Sequence, residues 1–202
     1  MFYDKTFGGV IGKRWKVIFL AGLVFSFVAL VISIILPLQY RADAQVLIIS
    51  KSRYGVDPYT VVKSAERVGE NLTQIMKSND FYNKVMTQPG FSLDKEIFNN
   101  KEERIKRKKW QKTINTSVVY GTGVLNISAY HTDKSQAKEY AGAVAGTLAS
   151  QAWQYVGGDV TLKVINDPVV TAWPVRPNIV LNIIIGFFVG ILISSFVFLK
   201  KS

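Results

Sequence analysis

The sequence predicts an α+β fold: a small mixed sheet with helices forms one extracytoplasmic domain, flanked by two transmembrane helices. Three observations carry this expectation. The 202-residue chain holds two long apolar runs, one near each end. Basic residues gather on the outer side of each run. Between the runs lies a polar stretch in which period-two and helical patterns follow one another. A mean hydropathy above zero together with a pI near 9.8 is unusual for one soluble globule. It is ordinary for a soluble domain held between membrane segments.

The first run, Val17 to Leu36, reads VIFLAGLVFSFVALVISIIL and carries no charge. At 1.5 Å per residue, about 20 residues reach about 30 Å, the thickness of the hydrocarbon core. Backbone groups in lipid must bond within the segment, so the run is predicted as a helix. Pro37 ends it, and Trp15 and Tyr40 stand where interfacial aromatics are expected. The second run, Ile179 to Leu199, has Asn182 as its one strongly polar member, with Trp173 before it and Lys200 and Lys201 after it. Lys5, Lys13, Arg14 and Lys16 precede the first run. Read as positive-inside signals, these residues place both termini in the cytoplasm and the central segment in the periplasm or outside the cell. A cleaved signal peptide is the rival, since Ala42-Asp43-Ala44 fits a cleavage site. The apolar core is too long for it, and the alanines lie inside a strand pattern. The expected division is a cytoplasmic N-terminus (1–16), a first transmembrane helix (17–38) and an extracytoplasmic α+β domain (39–172). A proline-containing entry segment (173–178), a second transmembrane helix (179–199) and a cytoplasmic tail (200–202) follow.

Within the central domain, YRADAQVLIIS (40–50) puts Ala42, Ala44, Val46 and Ile48 on one face, a strand. SRYGVDP is a loop. Val62, Ala65, Val68, Leu72, Ile75 and Met76 recur at helical spacing, and Ser78 or Asn79 is positioned to cap a second, short helix. Residues 94–112 are strongly charged and predicted helical, with Ile97, Phe98 and Ile105 as the buried edge. Two alternating runs about Gly121-Thr122-Gly123 form a hairpin. After Thr132 and Asp133, candidate caps, a helix of about 24 residues is expected to reach Val156. Ala137, Ala141, Ala145 and Ala149, beside Gly142 and Gly146, leave a narrow stripe suited to close approach by another helix. Gly157-Gly158 ends it, and Val160 to Asp167 is the last strand. The first and last strands are expected to pair antiparallel.

Composition excludes several chemistries. There is no cysteine, hence no disulfide, thiolate nucleophile or cysteine metal site. The one histidine, His131, reads as an ordinary polar residue at a strand end rather than a metal ligand or part of a triad. GGVIGKRW lacks the glycine spacing of a phosphate loop, has Arg14 after Lys13, and follows no strand. No carboxylate pair stands out as catalytic, so no enzyme activity, cofactor or metal is expected. Three Asn-x-Ser/Thr matches, at Asn71, Asn115 and Asn126, are discounted as chance.

Two clusters are candidates for binding. Arg104, Lys106, Arg107, Lys108, Lys109 and Trp110 lie in the densest basic stretch, KEERIKRKKWQK. They suit an anionic glycan, a lipid phosphate or a headgroup, with Trp110 stacking on a sugar; the competing reading is a solvated helix face. Nucleic acid is not expected, because the cluster lies outside the membrane. In the second run Asn182, Gly186, Gly190 and Ser194 repeat at i+4 and make a small, partly polar face. Such a face supplies the close packing and hydrogen bonding that join helices in lipid, either to the first run or to a neighbouring chain. Pro174, Pro177 and Asn178 form an entry motif. Proline fixes φ and donates no backbone hydrogen bond, which favours an extended approach to the bilayer.

In this order the parts resemble the polysaccharide co-polymerases, also called Wzz-type chain-length determinants. The resemblance rests on the strand YRADAQVLI directly after the first run and the strand-plus-helix GVLNISAYHTDKSQAKEYAGAVAGTL. It rests also on NDPVVTAWPVRPNIVLNIIIGFFVGILI, where Pro168, Pro174, Pro177, Asn178, Gly186 and Gly190 fall at family-like places. It is strongest at the two ends and weak from 51 to 112. The resemblance implies a homo-oligomer in the cytoplasmic membrane that contacts lipid and a polysaccharide polymerase or export machinery. There it would set the chain length of O-antigen, capsule or exopolysaccharide. Some members carry, or act with, a cytoplasmic tyrosine kinase; only Lys200, Lys201 and Ser202 follow the second run here, which puts tail-borne kinase activation in doubt. The expected function is therefore a non-enzymatic membrane scaffold regulating a surface polysaccharide. The alternatives are a two-span sensor or ligand-binding module acting through a partner, and a membrane-tethered cell-wall hydrolase.

Overall fold

The structure, a computed structural model, describes residues 7–50, 57–99, 101–157 and 160–201. Lys5, most of the SRYGVDP loop and Gly158 lie outside them. The described residues fall into two units, Met1–Leu38 with Val175–Ser202, and Gln39–Pro174.

The first unit is a pair of apolar helices, α1 (Phe7–Ile35) and α7 (Ile179–Lys201). Arg14–Ile35 and Ile179–Lys200 are long and apolar enough to cross a membrane. Helix α1 begins ten residues before Val17, and Arg14 interrupts it with non-helical φ/ψ of −121° and 18°. Most large side chains point outward, among them Phe27, Ile35, Val180, Leu192 and Phe196. In water such exposure would be costly; in lipid it is the solvated state. The aromatic rings of Phe19 and Phe187 meet edge to face at 5.5 Å.

The second unit is an α+β domain. Its strands are β1 (Tyr40–Ser50), β2 (Ile114–Val119), β3 (Val124–His131) and β4 (Val160–Val170). They form one antiparallel sheet in the order β2-β3-β1-β4. The expected pairing of first and last strands is present, with Ala42 opposite Val170 and Ser50 opposite Val160. Strand β4 runs three residues past Asp167. Alternation in β1 buries Ala42, Ala44, Val46 and Ile48, and β3 adds Leu125, Ile127 and Ala129 to the same side.

Helices α2 (Pro58–Ile75), α3 (Asn79–Met86), α4 (Glu103–Thr113), α5 (Lys134–Gln151) and α6 (Trp153–Val156) complete the domain. Asp57 caps α2 by accepting from the Tyr59 and Thr60 N–H groups, and Ser78 caps α3 by accepting from Phe81 N at 3.2 Å. Asp133 caps α5 through Gln136 N at 3.0 Å. The expected helix to Val156 is two pieces, separated at Ala152.

Two helical expectations are corrected. The predicted helix over 94–112 forms only from Glu103, because turns occupy 96–99. Phe98 is buried and Ile97 packs on the core as expected, but both precede α4, whose own buried residues are Trp110 and Thr113, while Ile105 is 48 % exposed. The Trp110 ring supplies the volume that the core needs, packing edge to face on Tyr82 at 5.3 Å and on Phe98 at 6.3 Å. Among the described residues, the small stripe of α5 packs on the sheet rather than on a long helix. Ala137, Ala141 and Ala145 are buried in the core shared with the sheet, and Ala149 is exposed. A Cβ on Gly142 would stand 2.6 Å from the Phe91 ring. The missing side chains make room for a sheet and one aromatic ring.

The hairpin turn needs glycine at both ends, Gly121 with φ +79° and Gly123 with φ +65°. Gly123 also lies where a Cβ would come within 3.0 Å of the Ala65 Cβ, and its carbonyl accepts from Ile48 N at 3.0 Å. The turn is thereby clamped between α2 and the end of β1.

Candidate functional site

In the helix pair, α7 turns its small face to α1. The Asn182 amide donates to Ser33 Oγ at 2.9 Å, and Ser33 donates onward to Ala29 O at 2.8 Å. A Cβ on Gly186 would stand 2.7 Å from the Ala29 Cβ and 2.9 Å from Phe25 O. One on Gly190 would stand 2.8 Å from Ala21 O and 2.9 Å from the Gly22 Cα. Real Cβ atoms do not approach backbone so closely, so these two glycines set the helix separation. Ser26 donates to Ile183 O at 3.3 Å. Ser194 bonds within its own helix, to Ile191 O at 3.0 Å. Within the chain, Asn182, Gly186 and Gly190 thus meet the first apolar helix.

The entry motif divides between the two units. Pro174 closes the α+β domain, and Pro177 and Asn178 belong with the apolar pair. Asn178 has a local role: its Oδ1 accepts from Leu181 N at 3.1 Å, which caps the start of α7. The Arg176–Pro177 peptide is cis.

The basic cluster separates by chemistry. Arg104, Arg107 and Lys108 are exposed on α4. Lys106 pairs with Glu103 at 3.1 Å, and Arg107 Nε donates to Asn79 at 3.3 Å. The Lys101 ammonium beside Lys109, with some burial, holds the Lys109 amine below the usual lysine range. The expectation for Trp110 is corrected. It is 1 % exposed, and its indole N–H donates to Met76 O at 2.7 Å, so the ring cannot stack on a sugar.

His131 is buried at the end of β3, accepts from Asp133 N at its Nδ1 (3.0 Å) and stacks on the Tyr140 ring at 5.9 Å. Among the described residues no three groups gather to hold a metal ion. Burial pushes the Tyr140 hydroxyl far above the usual tyrosine range, and that hydroxyl donates to Asp94 O. A buried acid escaped the sequence reading. Glu66 in α2 is 4 % exposed, bonded to Lys63 at 2.7 Å and to the Gly121 N–H of the hairpin turn. The Lys63 ammonium first, and the turn N–H second, hold its carboxyl below the usual glutamate range.

The sheet face away from the core was also missed. The register lines up two rows across all four strands: Ser117, Asn126, Gln45 and Asn166, and then Asn115, Ser128, Asp43 and Val169. Gln45 donates to Asn126 Oδ1 at 2.7 Å and accepts from Asn166. Ser128 donates to Asp43 at 2.6 Å, and Arg41 Nε pairs with the same carboxylate at 2.9 Å. With Asp167 and Tyr130 these residues line a shallow basin of about 600 Å³. The signal was present in the residues between the core positions of YRADAQV and VLNISAY; only strand order brings them together.

No curated protein matches the chain. Residues 8–88 match the family model described as Wzz: Chain length determinant protein. The matched segment runs from α1 through β1 and α2 to the end of α3. It includes 51–88, where the resemblance is weak, and stops before the proline and glycine signature of the C-terminal run. Residues 8–88 thus carry the match to the Wzz chain length determinant family.

Proposed function

We propose that the protein is a non-enzymatic membrane scaffold that regulates the chain length, polymerisation or export of a surface polysaccharide. The observation that carries this reading is the family match over residues 8–88, in a chain whose two apolar helices bracket one folded α+β domain. In that domain the strand after the first apolar helix pairs antiparallel with the strand before the second. The basic flanks support an orientation with both termini in the cytoplasm and the domain periplasmic or extracellular. The scaffold would work beside a polymerase or exporter and would assemble as a homo-oligomer. Because Gly186 and Gly190 pack on α1, subunit contacts would fall to other surfaces.

The test is deletion of the gene, followed by sizing of surface polysaccharide on a gel. A shifted length distribution with material still present is expected. An unchanged distribution sinks the reading, and complete loss of polysaccharide would make the protein a biosynthetic component instead.

A further inference from the structure

We infer that the polar face of the sheet, built on Gln45, Asn126, Ser117 and Asn166, binds an uncharged stretch of the polysaccharide itself. This rests on the proposed function and adds to it the place where glycan is held.

In a strand, alternate side chains face opposite sides, so a core face implies a second face of fixed composition. Here that second face is rich in amides and hydroxyls, and the pairing aligns them in rows, with a register shift on the β4 side between the Asp43–Val169 and Gln45–Asn166 pairs. Four strands at a spacing of about 4.8 Å make each row roughly 14 Å long, longer than a single sugar ring. An amide offers a donor and an acceptor side by side, as a sugar hydroxyl does. Gln45 is held from both sides, by Asn126 and Asn166, so its orientation is set before any ligand arrives. That removes part of the entropy cost of binding.

Unused capacity remains. Asn115 and Ser117 are exposed and make no side-chain hydrogen bond among the described residues. The Asn126 amide lies beside Ser117 on the neighbouring strand, and Asn166 stands at the other end of the same row.

Charge selects the occupant. The basin holds two carboxylates, Asp43 and Asp167, against one guanidinium, Arg41, which is already tied to Asp43. In a chain of net charge +11, this face does not attract phosphate, acidic sugar or an anionic lipid. Nor does it resemble the centre of a protein interface, which is apolar, aromatic and poor in charge. A neutral, hydroxyl-rich chain satisfies its donors and acceptors.

The experiment uses the full chain in detergent micelles. Its probe is a set of oligosaccharides released by partial hydrolysis from the surface polysaccharide of the producing cells. Binding is measured at equilibrium for the native protein, Asn126→Ala and Ser117→Arg. The second variant fills the basin from an exposed edge-strand position and leaves the Gln45 bonds intact, so its fold is retained. Native binding with about tenfold or greater weakening in Ser117→Arg is expected. Absent native binding, or equal binding by Ser117→Arg, overturns the inference. So does a change of native mass in the variants without a change in glycan affinity, which would give this face to a second copy of the chain. The deletion test separates the two ideas. A deletion that shifts glycan length, together with a basin that binds no glycan, removes the site and keeps the function.

Discussion

Asn182 and Ser33 are 149 residues apart, yet the amide nitrogen of one lies 2.9 Å from the hydroxyl oxygen of the other. This bond, with the longer one from Ser26 to Ile183 O, joins two helices whose facing surfaces are otherwise mostly apolar. In lipid there is little hydrophobic gain from pairing such helices, so polar bonds and close packing carry the association.

Replacing Asn182 by Leu removes the bond and nothing backbone-borne. A loss of about 1 kcal/mol is expected, within the range of single interhelical bonds in membranes. Thermal unfolding in detergent, compared with native protein and with Ser33→Ala, measures it. Full stability in both variants would show that the bond contributes nothing.

Gly190 is the harsher position. Its missing Cβ would press on Ala21 O and the Gly22 Cα, atoms of the facing backbone. Gly190→Leu is expected to separate the helices and to lower stability well beyond Asn182→Leu. Gly157→Ala tests the specificity of that result. Gly157 has no atom within 4 Å of its ideal Cβ, and the cost there is only that of a positive φ. Cysteines introduced in pairs along α1 and α7 would report the separation directly, because the native chain has none.

Trp110 and Ile105 share a helix and differ in depth. Trp110→Ala removes a 1 %-exposed ring and the hydrogen bond to Met76 O. A cost of about 3–5 kcal/mol is expected. Ile105→Ala, at a largely exposed site, should change stability by about 0.5 kcal/mol or less. Chemical denaturation of both variants checks the contrast, and equal effects would place the core elsewhere.

Glu66 predicts an acid dependence. Its folded pKa is depressed, by Lys63 first and by the Gly121 N–H second. The carboxylate therefore contributes stability that is complete above the ordinary glutamate value. That contribution is lost as pH falls through the lower folded value. Glu66→Gln should be less stable than native protein at neutral pH, and the difference should fade through the acid range. Melting temperatures of the two proteins along a pH series test this; a constant difference contradicts it.

Much of the architecture was written locally. The two apolar runs, the alternation in 40–50, the hairpin about Gly121-Thr122-Gly123 and the caps at Ser78 and Asp133 depend on neighbours in sequence. Solvation, side-chain period and capping act over one turn or one strand, and so they can be read without a fold. Helix 94–112 failed by the same measure. Phe98 is buried as expected, but a run of charges does not show that the core also requires Trp110, which turns inward because Tyr82 and Phe98 are there to meet it.

What the sequence determined alone is the number of apolar helices, the strands and their alternation, and the absence of thiol chemistry. Tertiary structure alone decided that the glycine face of α7 packs on α1, that Glu66 lies under the hairpin turn, and that the amides of four strands share one face. These relations join residues tens to more than a hundred positions apart. They are settled by chain geometry and the packing of whole elements, which no local window of sequence contains.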